Sequence, residues 1–336
     1  MKVLVTGANG FLGTSIVRAL RRNGDDVRAF VRPGRKMAEA DVDVVEGDLA
    51  DAGSVERAVQ GVDAVVHAGA RVLTTGKWEE FAEANVRGTR RVIRAAHAAH
   101  CSMIVHISSL SVYAVPTDGV TITEASAYES ETQSRGGYSR SKLAADRVAF
   151  YEAARGAPVI VLRPGLIYGP GKRPPLARQS FQAGPFKLLL ARRNYPLPLS
   201  YVDNVADAVV LALRCKEAVG QAFTIVDDNV RQAEYTALYR SISGERWRPL
   251  FLPVKLVALA AWAAERGLGL ARRRSPVTYH QVRRATDGAV FDNSRARAVL
   301  GWQPRVSVRE GLEACFKAQD DASPGATAPQ LAGSTI

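Results

Sequence analysis

Lys2-Val-Leu-Val-Thr6-Gly7-Ala-Asn-Gly10-Phe-Leu-Gly13 stands almost at the start of the chain and decides its fold. The apolar, β-branched run 2–6 predicts a strand, and the spacing of 14–20 predicts a helix after the glycines. Glycines at such a turn allow positive φ and let a phosphate approach the main chain, while the helix N-terminus offers unpaired N–H groups. The stretch therefore predicts a site for the pyrophosphate of a dinucleotide.

Apolar runs of strand length recur through the first half of the chain, with helix-forming sequence between them. They are residues 27–31, 42–45, 62–66, 102–107 and 158–162. Strands that alternate with helices imply right-handed crossovers and a parallel sheet. The predicted fold class is therefore α/β, a doubly wound parallel sheet of the Rossmann type, with residues 1–166 as the NAD(P)-binding domain.

From residue 167 the pattern changes to irregular chain, marked by Gly169-Pro170-Gly171 and Pro174-Pro175. A helix over 201–213 and a strand over 222–226 return to the sheet, so residues 201–227 belong to the first domain. Residues 167–200 and 228–318 form a smaller, mostly helical C-terminal lobe that we expect to bind the substrate. The tail 319–336 is rich in Ala, Gly, Pro, Ser and Thr and is predicted to be disordered.

The composition argues against several classes of protein. The 336 residues contain no secretory signal and no apolar run long enough to span a bilayer, so we predict a cytoplasmic protein. Cys101, Cys215 and Cys315 lack paired spacing, which predicts neither a metal site nor a disulfide framework. The net charge of +12 comes with arginines spread along the chain, which favours a solvated basic surface over nucleic-acid binding.

The apolar stretch 252–270 has two interpretations. Lys255, Glu265 and Arg266 interrupt it, so a membrane-spanning helix is not expected. We favour a lobe helix packed over the substrate pocket. Contact with a membrane surface is the less favoured alternative, kept open by Arg272-Arg273-Arg274 beside it.

Tyr138 and Lys142 carry the predicted chemistry. They lie four residues apart in a predicted helix over 137–154, so both side chains project from one face. A lysine ammonium beside a phenol lowers the pKa of the phenol toward working pH, as a general acid/base requires. Ser108-Ser109 ends the preceding strand at the carboxyl edge of the sheet, where one serine can hydrogen-bond a substrate oxygen.

Taken together, the motifs resemble the extended short-chain dehydrogenase/reductase superfamily over residues 1–317. They are Gly7-x-x-Gly10-x-x-Gly13, Asp48-Leu49, His67-Ala-Gly-Ala70, Asn85-Val-Arg-Gly-Thr89, Ser108-Ser-Leu-Ser-Val-Tyr113, Tyr138-x-x-x-Lys142 and Leu162-Arg-Pro-Gly-x-x-Tyr-Gly169. Within the superfamily, the chain is most similar to the 3β-hydroxysteroid dehydrogenase-like branch, through Trp78-Glu-Glu-Phe81, Ser200-Tyr-Val-Asp-Asn-Val-Ala-Asp207 and Leu300-Gly-Trp-Gln-Pro-Arg305.

The resemblance implies roles for individual residues. Tyr138 would be the catalytic acid/base, Lys142 would lower its pKa and hydrogen-bond the nicotinamide ribose, and Ser109 rather than Ser108 would orient the substrate oxygen. Besides Tyr138 and Lys142, the implied cofactor-binding residues are Gly7, Asn9, Gly10, Phe11, Leu12, Gly13, Asp48, Leu49, His67, Ala68, Gly69, Arg163, Pro164 and Gly165. For Asn85 we favour a role in helix geometry over a catalytic one.

The end of the second strand indicates which cofactor binds. An acidic residue there accepts the ribose 2′-hydroxyl of NAD, whereas an arginine pairs with the 2′-phosphate of NADP. Here the acidic position is Val31, followed by Arg32, Arg35 and Lys36. NADP(H) is therefore the preferred cofactor, NAD(H) is the alternative, and Arg32 joins the cofactor-binding residues.

Three functions stay open. We favour a dehydrogenase or reductase that transfers a hydride between nicotinamide C4 and a ketone or secondary alcohol of a fairly apolar, steroid-like or alkyl small molecule. A sugar-nucleotide epimerase with retained NAD is the first alternative, since Lys172, Arg173, Arg192 and Arg193 could meet a diphosphate. A non-catalytic sensor of the NADP(H) ratio is the second alternative.

The resemblance also implies a homodimer formed through helices 78–99 and 137–154.

Overall fold

The computed structural model describes residues 1–37, 39, 42–72, 75–114, 119–130, 136–177, 180–270 and 289–322. Its strands are β1 (Lys2–Thr6), β2 (Asp26–Val31), β3 (Asp43–Glu46), β4 (Ala64–His67), β5 (Met103–Ile107), β6 (Thr121–Ile122), β7 (Val159–Pro164), β8 (Leu166–Tyr168), β9 (Ser180–Ala183), β10 (Phe186–Leu189), β11 (Leu199–Tyr201), β12 (Ala222–Ile225), β13 (Arg248–Phe251) and β14 (Val290–Phe291). Its α-helices are α1 (Phe11–Arg22), α2 (Ala52–Val59), α3 (Trp78–Phe81), α4 (Gly88–Ala98), α5 (Gly137–Ala153), α6 (Val202–Ala212), α7 (Gln232–Ser243), α8 (Val254–Leu270), α9 (Ser294–Leu300) and α10 (Val308–Ala322). A π-helical turn, Ala82–Arg87, joins α3 to α4.

Seven parallel strands form the main sheet, in the order β12-β7-β5-β4-β1-β2-β3. This confirms the predicted doubly wound α/β fold, and each predicted strand forms close to its expected bounds. The chain order reverses between β1 and β4. The carboxyl ends of these two strands therefore border the crevice where such sheets bind ligands.

Helices cover both faces of the sheet. On one face α1 and α6 pack against residues such as Val3 and Val105. On the other face α2, α4 and α5 pack against residues such as Leu4, Val65 and Ile104. Successive residues of a strand point to opposite faces, so each central strand needs the continuous apolar run that the sequence supplies.

The C-terminal lobe is mostly helical, as predicted, but part of its irregular segment is a small sheet. β9 and β10 form an antiparallel hairpin, and β13 pairs in parallel with β10. Gly184 adopts a φ of 54° in the loop of the hairpin, a left-handed conformation that glycine tolerates. This hairpin replaces the irregular chain that the surrounding prolines predicted.

Helix α8 meets the rest of the lobe through a narrow face. Ala261 is buried, and Val257 and Ala258 pack with it against Leu190. Trp262, on the same helix, remains 43% exposed. Packing over a substrate pocket and contact with a membrane surface both stay predictions. No helix within the described residues has the length and apolar character needed to cross a membrane.

The last helix runs further than the sequence predicted. α10 continues to Ala322, whereas the predicted disordered tail begins at residue 319. The remainder of the predicted tail lies outside the described residues.

The buried carboxylate of Asp227 joins the end of β12 to the start of α6. It accepts hydrogen bonds from the Tyr201 backbone N–H at 2.6 Å and from Asn204 Nδ2 at 2.9 Å. Burial raises the pKa of Asp227 to about 7, although both hydrogen bonds oppose the shift. Between about pH 4 and this value the folded state binds more protons than the unfolded state, so the free energy of unfolding falls as pH rises.

We expect Asp227→Asn to remove this pH dependence. The amide does not ionise, so the variant should lose less stability than the wild type between about pH 5 and about pH 8. Urea unfolding at both pH values measures the difference. If wild type and variant lose the same stability over this range, Asp227 does not titrate as the structure indicates.

Candidate active site

Two glycines in the turn between β1 and α1 lie so close to other backbone atoms that neither position has room for a side chain. Gly7 has a φ of 67°, and a Cβ on it would lie 2.7 Å from Gly69 Cα. A Cβ on Gly13 would lie 2.0 Å from the Gly7 carbonyl oxygen, which accepts the Gly10 N–H at 2.9 Å. Gly10 caps α1 without a side-chain hydrogen bond. The first N–H groups of α1 are therefore available to an anion, as the pyrophosphate prediction requires.

A cavity of about 250 Å³ opens at this turn. It is lined by Asn9, Gly10, Phe11, Thr14, Ser15, Arg18, Pro170, Val202 and Asp203. Of these residues, the first three were predicted from the sequence and the rest were not. Val202 and Asp203 belong to α6, which reaches the turn because α1 and α6 pack side by side on the sheet. A glycine cradle beside a cavity and a helix N-terminus fits a dinucleotide phosphate.

The residues predicted for the adenosine half lie along the same edge. A Cβ on Gly69, which follows β4, would lie 3.1 Å from Leu49 Cδ1, so these two residues are in contact. Asp48 is exposed, and its Oδ1 accepts the Ala50 N–H at 2.8 Å. The other predicted cofactor residues occupy ends of elements: Leu12 in the first turn of α1, Ala68 after β4, Pro164 at the end of β7 and Gly165 after it.

Ser109, Tyr138 and Lys142 come together at the carboxyl end of β5, the same sheet edge as the glycine turn. The Ser109 side chain lies beside the Tyr138 phenol and lowers its pKa. Lys142 Nζ donates to the Ile107 carbonyl oxygen at 2.7 Å. Tyr138 is half-buried, whereas Lys142 is buried. The structure thus assembles the three side chains that the sequence proposed for catalysis.

The pKa of Tyr138 differs from the sequence expectation. Burial raises it, and the neighbouring Ser109 side chain offsets part of that effect. Lys142 was expected to lower it, but the ammonium is held by Ile107 instead. Burial also lowers the pKa of Lys142 to about 8, against the attraction of Asp146. The net pKa of Tyr138 therefore lies above its ordinary value, so the phenol stays protonated at neutral pH, and a lowering of this pKa by Lys142 stays a prediction.

Two predicted cofactor residues are buried beneath helices instead of facing the crevice. The His67 ring lies between Thr6 Oγ1 at 2.8 Å and Thr89 Oγ1 at 3.0 Å, and burial holds its pKa well below the usual value. The Arg163 guanidinium is 1% exposed and pairs with Asp146 at 2.7 Å. Strand alternation places both side chains on the sheet face that α4 and α5 cover. The structure therefore gives no support to cofactor contacts by these two side chains.

Asn85 lies in the π-helical turn and holds the chain in place. Its side chain accepts the Arg71 N–H at 2.6 Å and donates to the Arg71 carbonyl oxygen at 3.0 Å. It also donates to Ser141 Oγ at 2.8 Å. These contacts support the favoured role in helix geometry.

A polar cluster around Arg163, which was not predicted from the sequence, lies beneath α5. Asp146 accepts the Ser108 hydroxyl at 2.5 Å, and Tyr113 and Tyr128 complete the surroundings of the guanidinium. One signal was available, because Asp146 follows Lys142 by one helical turn on the same face of α5. Nothing in the sequence indicated the partner on β7.

Several known proteins are similar to this chain over almost its whole length. The sterol demethylase protein B of Methylococcus capsulatus is 30% identical, over 90% of this chain and 94% of the relative. The 2-alkyl-3-oxoalkanoate reductase of Stenotrophomonas maltophilia is 30% identical, over 93% and 97%. The 3-beta-hydroxysteroid dehydrogenase of Mycolicibacterium neoaurum is 28% identical, over 94% and 90%.

Solved structures share the fold. The crystal structure of gox2253 superposes with a TM-score of 0.82 at 24% identity and covers 95% of this chain and 98% of its own. MoeE5 in complex with UDP-glucuronic acid and NAD has a TM-score of 0.72 at 24% identity, with coverage of 96% and 100%. The model of the NAD dependent epimerase/dehydratase family matches residues 3–225, which hold the glycine turn and the Ser109–Tyr138–Lys142 cluster. The chain therefore belongs to the NAD dependent epimerase/dehydratase family, within the extended short-chain dehydrogenase/reductase superfamily that its motifs indicated.

Proposed function

We propose that this chain is an NADP(H)-dependent dehydrogenase or reductase that acts on a ketone or secondary alcohol of a fairly apolar, steroid-like or alkyl substrate. The observation that carries the proposal is the grouping of Ser109, Tyr138 and Lys142 at the carboxyl edge of the sheet, next to the glycine turn. The names of the relatives support the substrate class, since 2-alkyl-3-oxoalkanoates and 3β-hydroxysteroids both carry an oxygen function on an apolar frame.

The side chains suggest the direction of proton transfer. A bound nicotinamide supplies or accepts the hydride. Ser109 donates a hydrogen bond that orients the substrate oxygen, and Tyr138 gives its phenolic proton to that oxygen. Because burial raises the pKa of Tyr138, the phenol is protonated at neutral pH, which suits reduction of a ketone. The Lys142 ammonium then stabilises the phenolate that remains.

A substrate panel tests the proposal. Purified protein is assayed with NADPH and NADH against 2-alkyl-3-oxoalkanoates, 3-ketosteroids and UDP-sugars, and any copurified nucleotide is released and identified. We expect net oxidation of NADPH by an apolar ketone and an empty site after purification. Failure to oxidise either nucleotide with every apolar ketone would remove the main support for the proposal.

The epimerase alternative has one specific observation in its favour. Lys172 Nζ lies 5.8 Å from the ring centre of Phe11, beside the cavity, where it could meet a diphosphate. Arg173, by contrast, is paired with Glu245. Tightly retained NAD and interconversion of UDP-sugars without net nicotinamide turnover would establish the epimerase. Inertness toward the whole panel, with reversible NADPH binding, would favour the sensor.

A homodimer through α4 and α5 stays a prediction.

The cofactor preference rests on the basic residues after β2. Arg32, Arg35 and Lys36 are exposed, and none of them forms an ion pair with a described residue. We expect Arg32→Ala to lower the ratio of NADPH to NADH affinity by about 10-fold to 100-fold, the effect of losing a charge-assisted phosphate contact. Fluorescence titration with both nucleotides measures the ratio. Arg22→Ala, at the far end of α1, is the control, and an unchanged ratio in Arg32→Ala would refute the assignment.

A further inference from the structure

The carboxylate of Asp146 collects hydrogen bonds from three different parts of the fold. Its Oδ1 accepts the Ser108 hydroxyl at 2.5 Å and Arg163 Nε at 3.3 Å. Its Oδ2 accepts the Tyr128 hydroxyl at 2.7 Å and Arg163 Nη2 at 2.7 Å. The two charged side chains are 0% and 1% exposed. Each carboxylate oxygen of Asp146 therefore accepts two hydrogen bonds, and these bonds hold the carboxylate from several directions.

The same cluster touches every element that carries the candidate catalytic groups. Ser108 precedes Ser109 at the end of β5, so the bond to Asp146 fixes the backbone from which the Ser109 hydroxyl projects. Tyr138, Lys142 and Asp146 follow one another at intervals of four on one face of α5. Arg163, near the end of β7, completes the connection. The pair thus links the end of β5, which Ser109 follows, to α5, which carries Tyr138, and to β7.

Stability alone does not require a charged pair at this place. Removing two charges from water is costly, and apolar residues of similar volume often replace a buried ion pair without loss of stability. The hydrogen bonds of the pair add direction to the packing, because each of them favours one orientation of β5, α5 and β7 relative to one another. A negative charge one helical turn from Lys142 also favours the ammonium over the neutral amine.

We propose that Asp146 and Arg163 form a positioning pair, which sets the Ser109 hydroxyl and the Lys142 ammonium relative to the Tyr138 phenol. The proposal rests on the proposed function for its catalytic consequence, but the effect on Lys142 is measurable without turnover. Other groups that act on the Lys142 ammonium are His67 on β4, His106 on β5 and the Ile107 carbonyl oxygen. They remain unchanged in the test below.

The main test replaces both charges, so that neither is left buried without a partner. Asp146→Leu/Arg163→Met is compared with Asp25→Leu/Arg214→Met. The control removes another pair with a buried carboxylate, Asp25 and Arg214 at 2.7 Å, near the amino end of the sheet. We expect the Asp146/Arg163 variant to fold, to lose kcat by about 100-fold and to keep KM for substrate and cofactor within about threefold. The control should keep the wild-type kcat.

A measurement without turnover separates this inference from the proposed function. The Lys142 titration is followed by NMR of lysine labelled with ¹³C at Cε, with Lys142→Arg for assignment. We expect the titration of Lys142 to move to lower pH in the Asp146→Leu/Arg163→Met variant and to stay in place in the control. A Lys142 titration and a kcat both equal to those of the control would overturn the proposal. If the wild type turns over no substrate, the proposed function fails while the NMR result still decides the inference.

Ser108→Ala covers the case in which the double variant does not fold. It leaves the ion pair in place and cuts only the link to the end of β5. We expect kcat to fall by about 10-fold, as for the loss of one hydrogen bond to a charged group, with KM and the Lys142 titration unchanged. A wild-type kcat in Ser108→Ala would contradict the positioning role. A rise in KM at constant kcat would contradict it as well, because that pattern indicates lost binding instead of lost orientation.

Discussion

Tyr138→Phe is expected to lower kcat for ketone reduction by about a thousandfold while the dissociation constant for NADPH stays within about twofold. The substitution deletes only the phenolic hydroxyl, which lies beside Ser109. Without it the developing alkoxide has no positioned proton donor, and water must replace the phenol. Steady-state kinetics with the substrate found in the panel, together with NADPH fluorescence titration, measure the two quantities separately.

Tyr151→Phe provides the matched control for this prediction. Tyr151 lies on the same helix, α5, but its side chain is 55% exposed. The control should retain wild-type kinetics and stability. A Tyr138→Phe enzyme with kcat within a few-fold of the wild type would remove Tyr138 from the role of acid/base and would leave the sensor as the better supported function.

The sheet was predictable because the signals that define it are local. Residues 27–31 and 102–107 read as strands from their composition, and alternation with helices fixed the parallel arrangement before any contact was known. The glycine turn was equally local. Gly7 and Gly13 are needed where two backbones meet, and the close contacts confirm the reason for both.

Side-chain direction and tertiary partners were less accessible from sequence. His67 and Arg163 belong to motifs that border the cofactor in the superfamily. Side chains alternate between the two faces of a strand, however, and both of these side chains lie on the face that α4 and α5 cover. Asp146 could be placed on the face of Lys142 by helical spacing, but its partner lies on β7, which only the folded sheet brings near. Long-range pairing of polar groups leaves no periodic signal in the sequence.

The hairpin of β9 and β10 escaped prediction for a local reason. Gly184-Pro185 separates two short runs, and prolines on either side of the segment suggested irregular chain. The strands are short, and their pairing with β13 requires a segment about sixty residues later in the chain. The irregular part of the lobe was therefore the least predictable region that the structure describes.

We expect Gly13→Ala to lower the free energy of unfolding by about 3 kcal/mol and to abolish measurable nucleotide binding. The added methyl group would lie 2.0 Å from the Gly7 carbonyl oxygen and 2.9 Å from Ala8 Cα, both of them backbone atoms that cannot rotate away. Either α1 moves off the turn or the turn opens. Both movements displace the N–H groups that we expect to meet the pyrophosphate.

Gly53→Ala distinguishes this effect from a general sensitivity to alanine. Gly53 lies in the first turn of α2, and its new Cβ would meet only the ends of two side chains, Arg57 Nη1 at 3.3 Å and Asp51 Oδ1 at 3.5 Å. Because alanine favours the helix and restricts the unfolded chain, this control should be neutral or slightly stabilising and should bind nucleotide normally. Urea unfolding and NADPH titration of both variants give the comparison. If Gly13→Ala kept wild-type stability and affinity, the turn would tolerate a displacement that its backbone contacts forbid, and the pyrophosphate would have to bind elsewhere along the sheet edge.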